Sequence, residues 1–382
     1  MMRRSKWHLN ILFLIPLALW IVACGSPNLS GDVRLSESLT SPPPPATETA
    51  TLPPPHLRSE TALPTVAAAP TLPLPTQTAS PTPTAELSPL PDPYAGLSVS
   101  ELAARSYGGG EIEIVDTLAV NSYFTRTLIT YPSDGLTIYG FMNVPKKGTP
   151  PYPVVIALHG YIEPGVYSTL DYTTRYADAF AREGFLVLHP NLRGYPPSDE
   201  GDNRFRVGMA VDVLNLIALV KALGEQPGPL ALADAQAIGL WGHSMGGGIA
   251  SRVLTVSPDV RAAILYGAMS GDDQKNYERI FSYFSNGQRG QEELSAPPEV
   301  FARISPIYFL ERIRAAVSIH HGEQDVDVPL AWSLDLCHKL SELELSVECF
   351  TYPDQPHTFH GESDVLFIQR TIVFYNQWLR SR

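Results

Sequence analysis

The chain has 382 residues, a net charge of −12 from 39 acidic and 27 basic residues, and 44% hydrophobic against 17% charged residues. Such a chain buries a sizeable core, and the acidic balance excludes the basic footprint of a nucleic-acid binder. Proline is the outlier at 36 residues, of which sixteen fall between residues 28 and 98, so a globular domain is expected from about residue 99 onward. Three cysteines, Cys24, Cys337 and Cys349, are too few for a disulfide scaffold and form no CxxC zinc pair.

At the N-terminus, Arg3, Arg4 and Lys6 precede an apolar run from Leu9 to Ala23, the charged and hydrophobic regions of a secretory signal. The run is shorter than the ~20 residues that span a bilayer as a helix. It ends in Ile21-Val22-Ala23-Cys24, which resembles the lipobox of bacterial lipoproteins. That resemblance implies a signal over residues 1–23, an acylated Cys24 and a protein held outside the cytoplasm on the membrane. Residues 24–98 are rich in Pro, Thr and Ser, contain no Phe or Trp, and so read as a disordered tether.

From residue 99 to 382 the pattern becomes that of one α/β domain. Runs rich in β-branched and aromatic residues, Phe124–Tyr131 and Leu136–Val144, flank Pro132-Ser133-Asp134-Gly135 and predict a hairpin. The continuous apolar run Pro153–Leu158 is that of a buried central strand, ending at His159-Gly160-Tyr161. Helices over Leu170–Glu183 and Arg206–Leu223 alternate with strands Phe185–His189 and Gln236–Trp241. Strands Val260–Tyr266 and Ala315–His320, helix Leu330–Leu343, strand Leu345–Tyr352 and helix Val365–Arg380 follow. This alternation predicts a mostly parallel sheet covered by helices on both faces, with Met269–Arg312 a small helical insertion.

Gly242-His243-Ser244-Met245-Gly246 is a GxSxG sequence placed after a strand and before a helix, the context in which a nucleophilic serine is lifted above a sheet. A serine hydroxyl needs a base and an acid that orients it, in the chain order serine, acid, histidine. Of the histidines that follow, His338 lies inside a helix and is read as a surface residue. His357 and His360 share the loop Pro353–Gly361, and His357 is preferred. For the acid, Asp325 lies on the turn past the strand, whereas Asp327 is better placed to cap the next helix. The oxyanion donors are expected at the Met245 N–H and at or near Tyr161. His159 reads as structural, Gly108-Gly109-Gly110 as a flexible joint, and His357-x-x-His360 lacks the glutamate of a helical zinc motif, so no metal or other cofactor is expected. Cys337 and Cys349 are either a disulfide or two separate thiols.

The segment from about Tyr123 to Arg382 resembles the catalytic domain of the prolyl oligopeptidase family, within the α/β-hydrolase superfamily. The resemblance rests on Ser133-Asp134-Gly135, Asn191-Leu192-Arg193-Gly194, Gly242 through Gly247, Ser305-Pro306, His321-Gly322 with Asp325 and Val328-Pro329, and His357-Thr358-Phe359. It implies nucleophile, acid and base at Ser244, Asp325 and His357, and an oxyanion-hole tyrosine hydroxyl at Tyr161. Ile162 and Glu163 replace the glycines usual after that tyrosine, and no propeller-like sequence precedes residue 99. The expected function is hydrolysis of small esters or short peptides through an acyl-enzyme. The rival is a non-catalytic envelope lipoprotein that uses the fold for binding; the oligomeric state is not encoded legibly.

Overall fold

The computed structural model describes residues 92–380. The signal, Cys24 and most of the proline-rich stretch lie outside these residues. Nine strands form one sheet: β1 Glu113–Val120, β2 Phe124–Ser133, β3 Leu136–Pro145, β4 Tyr152–Leu158, β5 Leu186–Pro190, β6 Ala233–His243, β7 Ala262–Tyr266, β8 Ala316–Gly322 and β9 Val347–Tyr352. Their spatial order is β1-β2-β3-β5-β4-β6-β7-β8-β9. The first three strands and the β3–β5 pair are antiparallel, and every pairing from β5 to β9 is parallel.

The helices are α1 Val99–Ala104, α2 Thr174–Arg182, α3 Val207–Leu223, α4 Met245–Val256, α5 Asp273–Arg279, α6 Gln291–Leu294, α7 Pro298–Ile304, α8 Leu330–Glu342 and α9 Gly361–Arg380. Alternation along the strands divides the core. On β4, Val154, Ile156 and Leu158 face the cluster that includes α3, α4 and α8, while Val155 and Ala157 face Tyr176 and Phe180 of α2 and Phe367 and Tyr375 of α9. A central strand must satisfy both faces, which is why β4 reads as an unbroken apolar run. This is the α/β-hydrolase fold expected from the sequence.

The hairpin pairs Ser133 with Leu136. Asp134 and Gly135 both take positive φ (52° and 84°), as a two-residue hairpin turn requires. The hairpin tip is tied inward: the Ser133 hydroxyl donates to Asp212 of α3 at 2.6 Å, and the fully buried Asp212 also pairs with Arg193 at 2.7 Å.

Three features differ from the sequence reading. Strand β1 was not anticipated: its residues are almost all exposed, its pairing with β2 is interrupted by two irregularities, and it therefore shows no alternation. Helix α1 was also missed; it is short, but a Ser98–Glu101 capping box defines its start. Packing also begins before residue 99: Asp92 pairs with Arg303 at 2.7 Å, the Pro93 carbonyl accepts from Arg204, the Tyr94 ring packs at a tilt against Phe205 and Leu97 is buried. Pro93 belongs to a segment that docks, so counting prolines shifts the boundary too far along the chain.

Candidate active site

Four adjacent parallel strands, β6 to β9, carry the site at their C-terminal ends. Ser244 follows β6 and precedes α4, with φ 56° and ψ −117°, a backbone conformation costly for any residue but glycine. Sheet and helix hold it there. Its N–H donates to the Tyr266 carbonyl at 2.9 Å, and its carbonyl accepts from Gly248 N at 3.2 Å and Met269 N at 3.0 Å. The turn needs its glycines: a Cβ on Gly246 would land on the Leu158 carbonyl oxygen, and one on Gly242 would strike the Gly246 backbone. This is the sharp strand-to-helix elbow that the GxSxG spacing predicts.

Asp325 lies on the turn after β8 with its side chain fully buried. One carboxylate oxygen, Oδ1, accepts from the backbone N–H groups of Asp327 (2.9 Å) and Val328 (2.8 Å). The other, Oδ2, stands 2.7 Å from His357 Nδ1 and 3.2 Å from His321 Nε2. Burial by itself would raise the carboxyl pKa. The hydrogen bonds from His321 and His357, the nearby His357 charge and the Val328 N–H outweigh it and hold the group well below the usual carboxylate range. Asp325 is thus a fixed anion whose remaining lone pairs point at a histidine.

His357 and Ser244 line the same cavity of about 270 Å³, with Tyr161, Met245, Arg206, Met269, Ile280, Phe284, Arg289 and Asp327 among its walls. His360, four-square on the surface, turns away and uses its N–H on Gln355 at 3.0 Å. His338 is exposed on α8 beside Glu342. The helix-capping role expected of Asp327 is not found: α8 has no side-chain cap, and Asp327 faces the cavity with Tyr283 Oη at 3.5 Å. Pro329 occupies the cap position, and its side chain offers no acceptor for the first N–H groups of the helix.

A chain of hydrogen bonds joins the three loops. Burial, with His357 close by, pushes the His243 pKa down to about 3, so the ring is neutral and carries one proton. Its Nε2 faces the His357 carbonyl at 2.9 Å and must donate; its Nδ1 therefore accepts from Tyr172 Oη at 2.7 Å. Tyr172 in turn accepts from the Gly160 N–H at 3.0 Å. The loop after β4, the elbow and the histidine loop are locked to one another through His243. Neither His243 nor Tyr172 was singled out from the sequence; the polar residue at the first variable position of GxSxG was the available signal.

Tyr161 lines the cavity, but its hydroxyl is committed elsewhere: it donates to Glu163 at 2.7 Å and accepts from Arg289, which also pairs with Glu163 at 2.9 Å. Glu163, one of the two residues replacing the expected glycines, is what draws it away. Met245 N is the first N–H of α4 and has no carbonyl within the helix to accept it. Three acidic residues of the insertion have structural partners. Asp272 caps α5, Asp273 is buried against Arg252 at 2.6 Å and Glu278 accepts from Gln274 at 2.9 Å. His159 is buried between the carbonyls of Gly160 and Asn191, a structural position. Cys337 of α8 and Cys349 of β9 form a disulfide. The Gly108–Gly110 run has positive φ throughout and packs on α3, with Gly108 N donating to Asn215 at 2.8 Å.

Among proteins of known sequence, the chain is similar to the uncharacterized peptidase YtmA of Bacillus subtilis, with 25% identity over 261 residues, 66% of this chain and 93% of that one. Among solved structures it is similar to a puromycin-hydrolyzing peptidase of Mycobacterium tuberculosis (TM-score 0.55, 20% identity), covering 69% of this chain and 41% of that chain. It is also similar to acetyl xylan esterase 1 of Thermoanaerobacterium sp. JW/SL YS485 (TM-score 0.52, 18% identity), covering 72% of this chain and 91% of that chain. The chain thus spans about two fifths of the mycobacterial peptidase and nearly all of the esterase. The model of the prolyl oligopeptidase family matches residues 172–382, which contain the elbow, Asp325 and His357. With more than half of its length matched, the chain belongs to the prolyl oligopeptidase family and is a serine hydrolase.

Proposed function

We propose that the protein cleaves small esters and short peptides through a covalent acyl-enzyme formed on Ser244, with His357 as base and Asp325 as the group that orients it. The observation that carries this reading is the 2.7 Å contact between His357 Nδ1 and the buried Asp325 anion, with Ser244 on the wall of the same cavity. Asp325 is ionised and can only accept, so the ring proton sits on Nδ1 and Nε2 keeps its lone pair. As the Ser244 oxygen attacks the scissile carbonyl carbon, Nε2 takes the hydroxyl proton, and the carbonyl π pair moves onto oxygen. Collapse expels the alkoxide or amine, which takes the proton from His357. Water, deprotonated by His357, then attacks the acyl carbon, and the Ser244 oxygen leaves with the proton returned to it. The backbone N–H groups of Met245 and Tyr161 are the oxyanion donors in this scheme, since the Gly160 N–H is used by Tyr172 and the Tyr161 hydroxyl by Glu163.

Ester hydrolysis is the readier reaction because an alkoxide or phenoxide leaves without the strict protonation an amine needs. The likeness in fold to an acetyl xylan esterase, over 91% of that chain and 72% of this one, accords with that ranking. The lipobox-like run before Cys24 supports a chain anchored outside the cytoplasm by acylation of Cys24. A fluorophosphonate probe tests the chemistry: labelling of the wild type and none of Ser244→Ala is expected, and equal labelling of both would overturn it. Cys24→Ser tests the anchor; unchanged membrane retention and unchanged size would exclude lipidation there.

A further inference from the structure

The loop that leads into α3 contains two successive non-glycine residues in the left-handed conformation, Phe205 (φ 52°, ψ 23°) and Arg206 (φ 56°, ψ 20°). Such a conformation is unfavourable for a residue that carries a Cβ and persists only where its surroundings impose it. Here they do. Phe205 is buried among Tyr94, Tyr277 and Phe301, and its carbonyl accepts from Arg252 at 3.2 Å. The Arg206 N–H donates to the Asn203 carbonyl at 2.9 Å, and the Asn203 side chain accepts from Met209 N at 3.0 Å.

What this strain delivers is a cation. Arg206 lines the 270 Å³ cavity that holds Ser244 and His357, and also a neighbouring one of about 320 Å³. Arg206, Met245 and Tyr161 are common to the two, so they form the sill between them; His357 and Asp327 belong to the first cavity alone. Among the described residues, no carboxylate pairs with the Arg206 guanidinium and no acceptor takes its side-chain N–H groups; the Tyr277 ring lies beneath it at 5.9 Å. The other arginines of these walls are neutralised, Arg289 by Glu163 and Arg193 by Asp212. The acids that share the walls are Asp327 in the first cavity and the exposed Glu200 in the second. In a chain of net charge −12, Arg206 is thus an unpaired cation, held by a strained turn on the wall of the cavity that contains Ser244.

We infer that Arg206 binds a carboxylate of the substrate, so that the enzyme favours esters or peptides carrying a negative charge within a few bonds of the scissile carbonyl. This rests on the Ser244–His357–Asp325 reading and deepens it. The planar fork of donors suits a carboxylate in two parallel hydrogen bonds, which a lysine would not reproduce.

The test compares two matched pairs: 4-nitrophenyl hemisuccinate against 4-nitrophenyl butyrate, with the charge on the acyl group, and 4-acetoxybenzoate against phenyl acetate, with the charge on the leaving group. For each pair the charged-to-neutral ratio of kcat/KM is measured in the wild type, Arg206→Ala and Arg206→Lys, so that intrinsic reactivity cancels between enzymes. The expected result is a fall of about 10- to 100-fold in that ratio for Arg206→Ala in at least one pair and an intermediate fall for Arg206→Lys. An unchanged ratio in both pairs, or an equal loss on charged and neutral esters, overturns the inference. If the wild type cleaves no ester of either kind, the catalytic reading itself has failed, which is a separate outcome.

Discussion

Replacing Asp325 by asparagine separates its two jobs. An amide can present oxygen to only one of the two sides that the carboxylate now serves. Were its NH2 turned to the Oδ1 side, the backbone N–H groups of Asp327 and Val328, now bonded at 2.9 and 2.8 Å, would both lose their acceptor, at about 1–3 kcal/mol each. Turned to the Oδ2 side, the NH2 meets His357 Nδ1, which accepts from it by moving the ring proton to Nε2. His321 Nε2 retains the Val328 carbonyl at 3.0 Å. The second orientation costs far less, so Asp325→Asn should fold with the wrong histidine tautomer and no lone pair toward Ser244. A loss of about 10⁴ in kcat is expected, as for acid-to-amide changes in triads generally. Weakening four charge-assisted contacts to neutral ones costs about 2 kcal/mol, about 3–4 °C in a domain of this size. The sign of the pH effect follows from the depressed carboxyl pKa. The wild type's advantage is complete above the unfolded carboxylate value near ~4 and is lost as pH falls through the folded value, so the melting gap should narrow on acidification. Ester turnover and calorimetry at pH 7 and pH 3.5 measure both. Activity within tenfold of wild type, or a greater loss from Asp327→Asn, would refute the assignment.

Two further outcomes concern stability. The Cys337–Cys349 disulfide closes a separation of 12 residues, worth about 3 kcal/mol by loop entropy, so Cys337→Ser with Cys349→Ser should melt about 5 °C lower without reductant and become insensitive to it; equal melting would show that the bond contributes nothing. A chain beginning at Asp92 should melt like the full-length protein, while one beginning at Val99 loses the burial of Leu97, the Ser98 cap and the Asp92–Arg303 pair, about 3 kcal/mol and about 5 °C; identical melting of the two would show that residues 92–98 contribute nothing.

The parallel half of the fold was legible because each buried strand carries a physical signature: β4, β5 and β7 are buried at every position, and nothing but a two-faced sheet needs such runs. The elbow was legible because glycine at 242 and 246 is dictated by backbone clearance, which is local in sequence. Strand β1 left no trace, since an exposed edge asks only for pairing with β2. The residues that complete the site were hidden for a different reason. Asp212, Tyr172 and Arg289 act across separations of 19, 71 and 126 residues, and no local pattern announces such a partner. Asp327 misled because its position before a helix looks like a cap, while Pro329 occupies the cap itself.

The elbow hangs from the Tyr266 carbonyl at the end of β7, and the Tyr266 hydroxyl accepts from the Phe359 N–H in the histidine loop. One tyrosine of a central strand therefore sets the heights of both Ser244 and the His357 loop, and their alignment is a property of the whole sheet. The base of the insertion is anchored by the buried Arg252–Asp273 pair, but its outer part is attached differently, through Arg279 to the Asp327 carbonyl and through the exposed Arg289–Glu163 pair. In mild denaturant or high salt, those outer contacts should yield first. Substrate preference would then drift while the serine stays reactive, and loss of probe labelling would mark the melting of the sheet itself.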